Sequence, residues 1–206
     1  QINRLISITI HLIKIKLTKM KTHIFPAIRL TVVTIIFFCV IYTGIVWAIA
    51  QLSPNHGKGE IITQNGKTYY ANIGQSFTED KYFNSRPSAV NYNAAGSGGS
   101  NKGPSNPDYL VQVQARIDTF IAHNPTVKKE NIPSELVTSS GSGLDPNISV
   151  EAAEVQVDRI AKVRSISVDA IQQLIKNQTE QPLAGLFGPK KINVLKLNLA
   201  LDNLKQ

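Results

Sequence analysis

Between Leu30 and Leu52 the chain runs for about 23 residues without a charge, and twelve of the residues from Leu30 to Ile49 are Leu, Val, Ile or Phe. At about 1.5 Å of rise per residue, that run is about 34 Å long as a helix, enough to cross a hydrocarbon layer of about 30 Å. Each of these apolar side chains favours insertion by roughly 0.3–0.6 kcal/mol near the helix centre. Backbone polar groups in lipid must find partners within their own segment, so an isolated span has to be a helix. Trp47, near the far end, suits an interfacial anchor. Everything else in the chain must therefore be assigned to one side of a membrane or the other.

Charge makes that assignment. Arg4, Lys14, Lys16, Lys19, Lys21 and Arg29 precede the run, and no acidic residue does. Positive charge is retained on the cytoplasmic side, which predicts residues 1–29 inside, 30–52 as the span and 53–206 outside the cytoplasm. Of the 22 Lys and Arg in the chain, 16 then face all 14 acidic residues beyond the span. The formal +8 is mostly a topogenic tail, and the exported part is near neutral, which removes the electrostatic motive for nucleic-acid binding.

Ala48-Ile49-Ala50 fits a signal-peptidase site, but the apolar core of a signal peptide runs about 7–15 residues, shorter than this one, so an uncleaved anchor is expected. Gly44 and Ala48 form a small-xxx-small pair that can seat a neighbouring helix, although spans often carry such pairs by composition alone. Met20-Lys21 reads as a natural start. Gln1–Lys19, rich in Ile, Lys and Thr, then reads as a mis-called start, with a membrane-surface segment as the alternative. The single cysteine, Cys39, lies mid-span, so the exported part is expected to lack disulfide and thiol chemistry.

About 150 residues remain, enough for one domain with its own core. Ser53–Lys58 reads as a juxtamembrane linker. Ile61–Ile73, with Asn65-Gly66 at its centre, reads as a β-hairpin, and Asn91–Pro107 as a long polar loop. A first helix is expected from Asn106-Pro107, with Leu110, Val113, Ile117 and Ile121 on its apolar face. A second is expected after a Ser149 cap, burying Ala152, Val155, Ile160 and Val163, with Arg159, Lys162 and Arg164 placed late to suit the helix dipole. A third follows Ser167 with Val168, Ile171, Leu174 and Ile175. Ile192–Leu195 reads as a strand and Leu197–Leu204 as a terminal helix. The fold class is α+β: one transmembrane helix, then one domain of about three to four helices and a small sheet.

Gly98 and Gly103 have the spacing of a phosphate-binding loop, but Pro104 stands where the lysine must be, and Val90–Ala95 is too polar for the buried strand that should precede it. Gly96 and Gly98 begin a dinucleotide-binding pattern that Asn101 breaks. A backbone nest for an anion stays open. His11, His23, His56 and His123 are isolated from one another, so no metal site is expected. No nucleophile-elbow or Ser-x-x-Lys motif occurs, and a hydrolase assembled from distant residues would have His123 as nearly its only base. Asp145 is open to two readings, an acid or a turn residue bonding nearby amides. Arg86-Pro87-Ser88 can clamp an anion or form a structural ion pair.

Several longer motifs carry a resemblance. Tyr82-Phe83-Asn84-Ser85-Arg86-Pro87-Ser88-Ala89 is followed by Ser97-Gly98-Gly99-Ser100-Asn101 and Gly103-Pro104-Ser105-Asn106-Pro107. Leu136–Pro146 contains Ser139-Ser140-Gly141-Ser142-Gly143-Leu144-Asp145, Gln156 and Arg159 lie on the next two helical turns, and the end reads Asn193-Val194-Leu195-Lys196-Leu197-Asn198-Leu199-Ala200-Leu201-Asp202. From Met20 onward the chain is similar to the C subunit of the Kdp-type potassium-transporting P-type ATPases. It departs from the family pattern at Glu135, where Asp is usual, and at Lys190-Lys191, where an Arg is usual; Gln1–Lys19 has no counterpart.

The resemblance implies a non-catalytic accessory subunit of an inner-membrane complex, with no cofactor of its own. A channel-like A subunit selects potassium, a B subunit hydrolyses ATP through a phospho-aspartate, and a small F subunit accompanies them; ATP and K+ belong to that complex. The family's C subunit has been proposed to raise the B subunit's ATP affinity as a catalytic chaperone, with Ser97–Ser100 similar to part of a transporter signature loop. The implied docking or binding loops comprise Arg86, Pro87, Ser88, Ser97, Gly98, Gly99, Ser100, Asn101, Ser140, Gly141, Ser142, Gly143 and Asp145, with Gln156 and Arg159 beyond them. The charge asymmetry places these loops outside the cell, away from nucleotide. Membrane lipid is the other expected partner. An anchored exported enzyme and an extracytoplasmic sensor or ligand-binding module are the rival classes.

Overall fold

The computed structural model describes residues 21–53, 55–64 and 66–204. Arg4, His11, Lys14, Lys16, Lys19, the proposed start at Met20 and the turn residue Asn65 lie outside the described residues. Two compact units part between Gly59 and Glu60.

The first unit is helix α1, Lys21–Gln51, long and apolar enough to cross a membrane. None of its strongly apolar window is buried, and Phe25, Phe38 and Trp47 lie open; an uncovered apolar rod is what a lipid-facing helix requires. The hydroxyls of Thr31, Thr34 and Thr43 donate to the helix's own carbonyls at 2.9, 2.9 and 3.0 Å, so these three hydroxyls are satisfied within the helix. From Ile36 to Tyr42 the turns widen to π geometry. The Thr43 hydroxyl reaches back five residues to the Phe38 carbonyl there. The expected linker after Leu52 is not extended. It folds into turns on the helix end, with Ser53 N–H donating to the Ala50 carbonyl and His56 N–H to that of Ser53.

The second unit opens with an antiparallel hairpin, β1 (Ile61–Gln64) and β2 (Lys67–Tyr70), in the register Ile61↔Tyr70 to Gln64↔Lys67. Gly66 sits at φ 73°, the left-handed conformation that a two-residue hairpin loop demands. Helix α2 spans Pro107–His123, with Asn106 accepting from Tyr109 N–H as its cap and proline in its first turn. Then come β3 (Asn147–Ile148), α3 (Val150–Glu154), α4 (Val157–Arg164), α5 (Val168–Gln178), β4 (Thr179–Glu180), β5 (Lys191–Asn193) and α6 (Val194–Asp202). Strand β5 is the centre of a small antiparallel sheet ordered β3-β5-β4. The core lies where α3, α5 and α6 pack on β5 and α4 packs on α5, with Phe83, Ile160, Ile171, Ile192, Leu197 and Leu201 fully enclosed; each such side chain contributes roughly 1.5–3 kcal/mol. The α+β class holds, with two small sheets and five helices among the described residues of this unit.

Three expectations are corrected. The helix expected after Ser149 is two helices. Ser149 caps α3 as anticipated, accepting from Ala152 N–H, while its own N–H donates to Glu135. At Gln156, however, the side-chain amide takes the Ala152 carbonyl, and the backbone N–H turns to Ala153 instead. The ladder tightens there and restarts as α4, leaving Val163 exposed and Arg159 buried rather than solvated at a helix end. In α2 the apolar face is displaced: Leu110 is exposed, Val113, Ile117 and Ile121 are half-buried, and Phe120 alone is buried, because only the last turns reach the core. Finally, the strand ends at Asn193 rather than Leu195. The Asn193 carboxamide accepts from Lys196 N–H and so starts α6 at Val194.

Candidate functional site

Residues Asp80–Ser85 enter the core without forming a strand, so their backbone groups need other partners. Side chains supply them. Asn198, on α6, donates to the Phe83 carbonyl and accepts from the Phe83 N–H, both at 2.9 Å, imitating a sheet neighbour. Gln156 accepts from Asn84 N–H at 2.8 Å. Arg159 spends all five donors: Nε on Asn124 Oδ1, Nη1 on the carbonyls of Asp80 and Tyr82, and Nη2 on Asn84 Oδ1 and Gln156 Oε1. Burial works against the guanidinium's charge and lowers its pKa, while the Asp80 carboxylate, 3.8 Å away, supports it. Arg164 adds a bond to the Lys81 carbonyl at 2.7 Å.

The same stretch then leads outward through Arg86-Pro87-Ser88, and here the two glycine-rich loops meet. Gly98 N–H donates to the Ser142 carbonyl at 2.8 Å, the Ser97 hydroxyl to the same carbonyl at 3.0 Å, and Ser140 N–H to the Pro87 carbonyl at 3.1 Å. The contact depends on missing side chains. A Cβ on Gly143 would stand 2.6 Å from Val90 Cγ2 and 2.7 Å from the Gly98 oxygen, and Gly143 adopts φ 67°. Gly99 faces the Gly141 carbonyl in the same way at 3.0 Å. Arg86 Nη1 pairs with Asp145 Oδ2 at 2.8 Å, and Asp145 Oδ1 accepts from Asn147 N–H at 3.0 Å. Asp145 is therefore both a turn residue and the partner of Arg86. Ser88 accepts from Val90 and Tyr92 N–H. The Tyr92 hydroxyl donates to the Arg86 carbonyl at 2.7 Å, and burial raises that phenol's pKa.

The sequence-derived site thus divides. Arg86, Pro87, Ser88, Ser97, Gly98, Gly99, Ser100, Asn101, Ser140, Gly141, Ser142, Gly143 and Asp145 form one surface, with Ser97, Asn101, Gly141 and Ser142 exposed on its rim. Gln156 and Arg159 are not on it. They are buried in the hub beneath, their donors committed, and reach a partner only through what they hold in place. Sequence reasoning missed Asp80, Asn84, Asn124 and Arg116, the last of which braces Val137 and Ser139 from α2. Asn198 carried a signal: a carboxamide between Leu197 and Leu199 in an apolar helix asks for a buried partner.

Beside the hub, a cavity of about 350 Å³ opens between α2 and the 77–84 segment, lined by Phe77, Phe120, Leu136, Arg116, Asp80 and His123. His123 Nδ1 bonds Asp80 Oδ1 at 2.7 Å. Among the described residues no serine hydroxyl bonds that ring, and no group of three or more His, Cys, Asp or Glu is gathered for a metal ion. The loop surface presents hydroxyls and backbone groups at its exposed rim.

One family matches the sequence across both the long apolar helix and the α+β domain. The family model described as K+-transporting ATPase, c chain, covers residues 24–203. Curated proteins named potassium-transporting ATPase KdpC subunit are similar over nearly their whole length. The one from Flavobacterium psychrophilum is 53% identical over 184 residues, 89% of this chain and 99% of the relative. The Bacteroides fragilis protein is 48% identical over 190 residues (90% and 99%), and that of Bacillus cereus is 42% identical over 191 residues (91% and 99%). The chain belongs to the KdpC family.

Proposed function

We propose that the chain is a non-catalytic accessory subunit of an ATP-driven potassium-uptake complex. In this reading α1 crosses the bacterial inner membrane with its N-terminus in the cytoplasm, and the domain lies outside, over the side of a channel-like A subunit at which potassium enters. The ATP-hydrolysing B subunit and the small F subunit complete the assembly, and ATP and K+ belong to them and to A. The observation that carries the reading is that one family model runs through the apolar helix and the domain alike, so the span is part of the shared architecture. The orientation rests on Lys21, Arg29 and the basic residues before them, which remain on the cytoplasmic side.

The docking surface is the loop pair, with Ser97, Asn101, Gly141 and Ser142 as its rim. Arg159, Gln156 and Asn198 hold the segment from which it springs, so they position the surface without touching the partner. Coupling to ATP hydrolysis is conformational. A chaperone effect on ATP affinity, if exerted from this side, travels through the membrane partners rather than by nucleotide contact at Ser97–Ser100.

The test is to co-express the tagged chain with the other three subunits, intact or deleted of residues 53–206. Loss of stoichiometric co-purification or of potassium-stimulated ATPase on deletion is expected. Full activity from the deleted chain overturns the reading, and protection of the domain from protease added outside spheroplasts overturns the orientation.

A further inference from the structure

Residues Pro182–Pro189, between β4 and β5, form a second, smaller hairpin that projects apolar side chains into open space. Leu183 and Phe187 exchange both backbone bonds at 3.0 Å, Gly185 N–H closes on the Pro182 carbonyl at 2.9 Å, and the turn uses Ala184 and Gly185 at φ 54° and 73°. The tip is therefore shaped in advance, bracketed by two prolines. Its side chains are among the most open in the domain: Leu183 is 76% exposed, Leu186 82% and Phe187 68%. A cluster of large apolar groups left in water marks a contact to be made. From Gln181 to Lys191 the segment holds two lysines, Lys190 and Lys191, and no acid; Lys191 Nζ also lies 3.5 Å from Glu180 Oε2 in an exposed pair.

Its root has a definite address. Lys196 Nζ binds Glu60 Oε1 at 2.7 Å and Glu180 Oε1 at 3.7 Å. Glu60 is the first residue of the domain after the chain leaves the anchor unit, and Glu180 is the last residue of β4, from which the tip springs. One ammonium thus joins the tether's point of entry to the base of the apolar tip. Eight residues separate Gln51, the end of α1, from Glu60, which at full extension is about 30 Å of chain at most.

We propose that the Leu183–Phe187 tip is a membrane-surface foot, seating Leu183, Leu186 and Phe187 at the headgroup–acyl boundary with Lys190 and Lys191 toward anionic headgroups. Aromatic and leucine side chains backed by lysine are the composition of interfacial anchors, and each lysine near an anionic surface strengthens contact roughly fivefold. The proposal rests on α1 being a membrane anchor, as above. It gives the domain two points of attachment, the tether and the tip, and so limits its rotation about the tether.

The experiment uses the full chain in vesicles. Trp47, the only tryptophan, is changed to Phe, and Phe187→Trp is introduced as the probe, in phosphatidylcholine vesicles with or without 30% phosphatidylglycerol. The expected result is a blue-shifted emission quenched by lipids brominated high on the acyl chain, shielded from iodide, and stronger with the anionic lipid. Lys190→Gln with Lys191→Gln should reduce the anionic enhancement about tenfold or more. Emission that stays red and open to iodide, in a chain that resists carbonate extraction, overturns the foot and leaves the anchor standing. A chain released by carbonate overturns both. Shielding that arises only when the partner subunits are added overturns the lipid assignment and makes the tip a protein contact.

Discussion

Two irregular segments in this domain are held by opposite means. Asp80–Ser85 runs through the interior and has its backbone satisfied by side chains of α4 and α6: Arg159, Gln156 and Asn198. The Ser97–Asn101 loop lies on the surface and is held to Ser140–Gly143 by backbone groups brought together where side chains are missing. In the first case the specific residues are large, polar and buried; in the second they are glycines. Substitutions therefore act at different scales. Loss of a buried donor exposes several carbonyls to an apolar interior and threatens the whole unit, whereas an added methyl between the loops opens one contact.

The strongest way to break this contrast is at Arg159. Arg159→Leu leaves the Asp80 and Tyr82 carbonyls, Asn84 Oδ1 and Asn124 Oδ1 without their donor and takes one of two donors from Gln156 Oε1, at about 3–5 kcal/mol. Arg159→Lys is expected to fare little better, because one ammonium has three donors and no fork to reach five acceptors. Hydrogen exchange on the detergent-purified chain should show the core amides of α5 and α6 losing protection in both variants. If Arg159→Lys keeps full core protection, the guanidinium is not the hub.

What was legible in the sequence follows the same division. The apolar helix, the hairpin expected within Ile61–Ile73 and α5 were readable because their signals are local: an uncharged run, an Asn-Gly turn between β-branched and aromatic residues, a serine cap with apolar spacing. The break at Gln156 was not, because the side chain that disrupts the helix does so to serve Asn84, 72 residues earlier. Arg159 looked like a dipole-matched charge for the same reason: four of its five acceptors lie 35 to 79 residues away. The loops stood out as unusual, yet their mutual contact, with Ser97 and Ser142 lying 45 positions apart, had no sequence signature. Periodicity reports which face of an element is covered. It is silent on side chains that complete another segment's backbone.

Gly143→Ala tests the second mode at intermediate cost. The new methyl meets Val90 Cγ2 and the Gly98 oxygen at under 3 Å in a left-handed conformation, which together amount to about 2 kcal/mol. The Gly98 amide should exchange faster as its bond to Ser142 opens, while α5 and α6 amides keep their protection. Loss of core protection in this variant would erase the distinction between the two regions.

The smallest structural effect is expected at Gly141, and it discriminates most sharply. A Cβ there meets nothing within 4 Å, as at Gly103, so Gly141→Ala should leave stability within about 0.5 kcal/mol of the parent. The two glycines differ in position: Gly141 is on the exposed rim of the loop pair, and Gly103 is outside the contact. If the rim is a docking surface, a methyl at Gly141 intrudes only on what sits over it. Co-purification with the partner subunits or potassium-stimulated ATPase should then fall several-fold for Gly141→Ala and stay unchanged for Gly103→Ala, with both variants melting like the parent. Equal behaviour of the two variants in assembly would leave the rim with no partner above it, and the loops would be a device for closing the domain on itself.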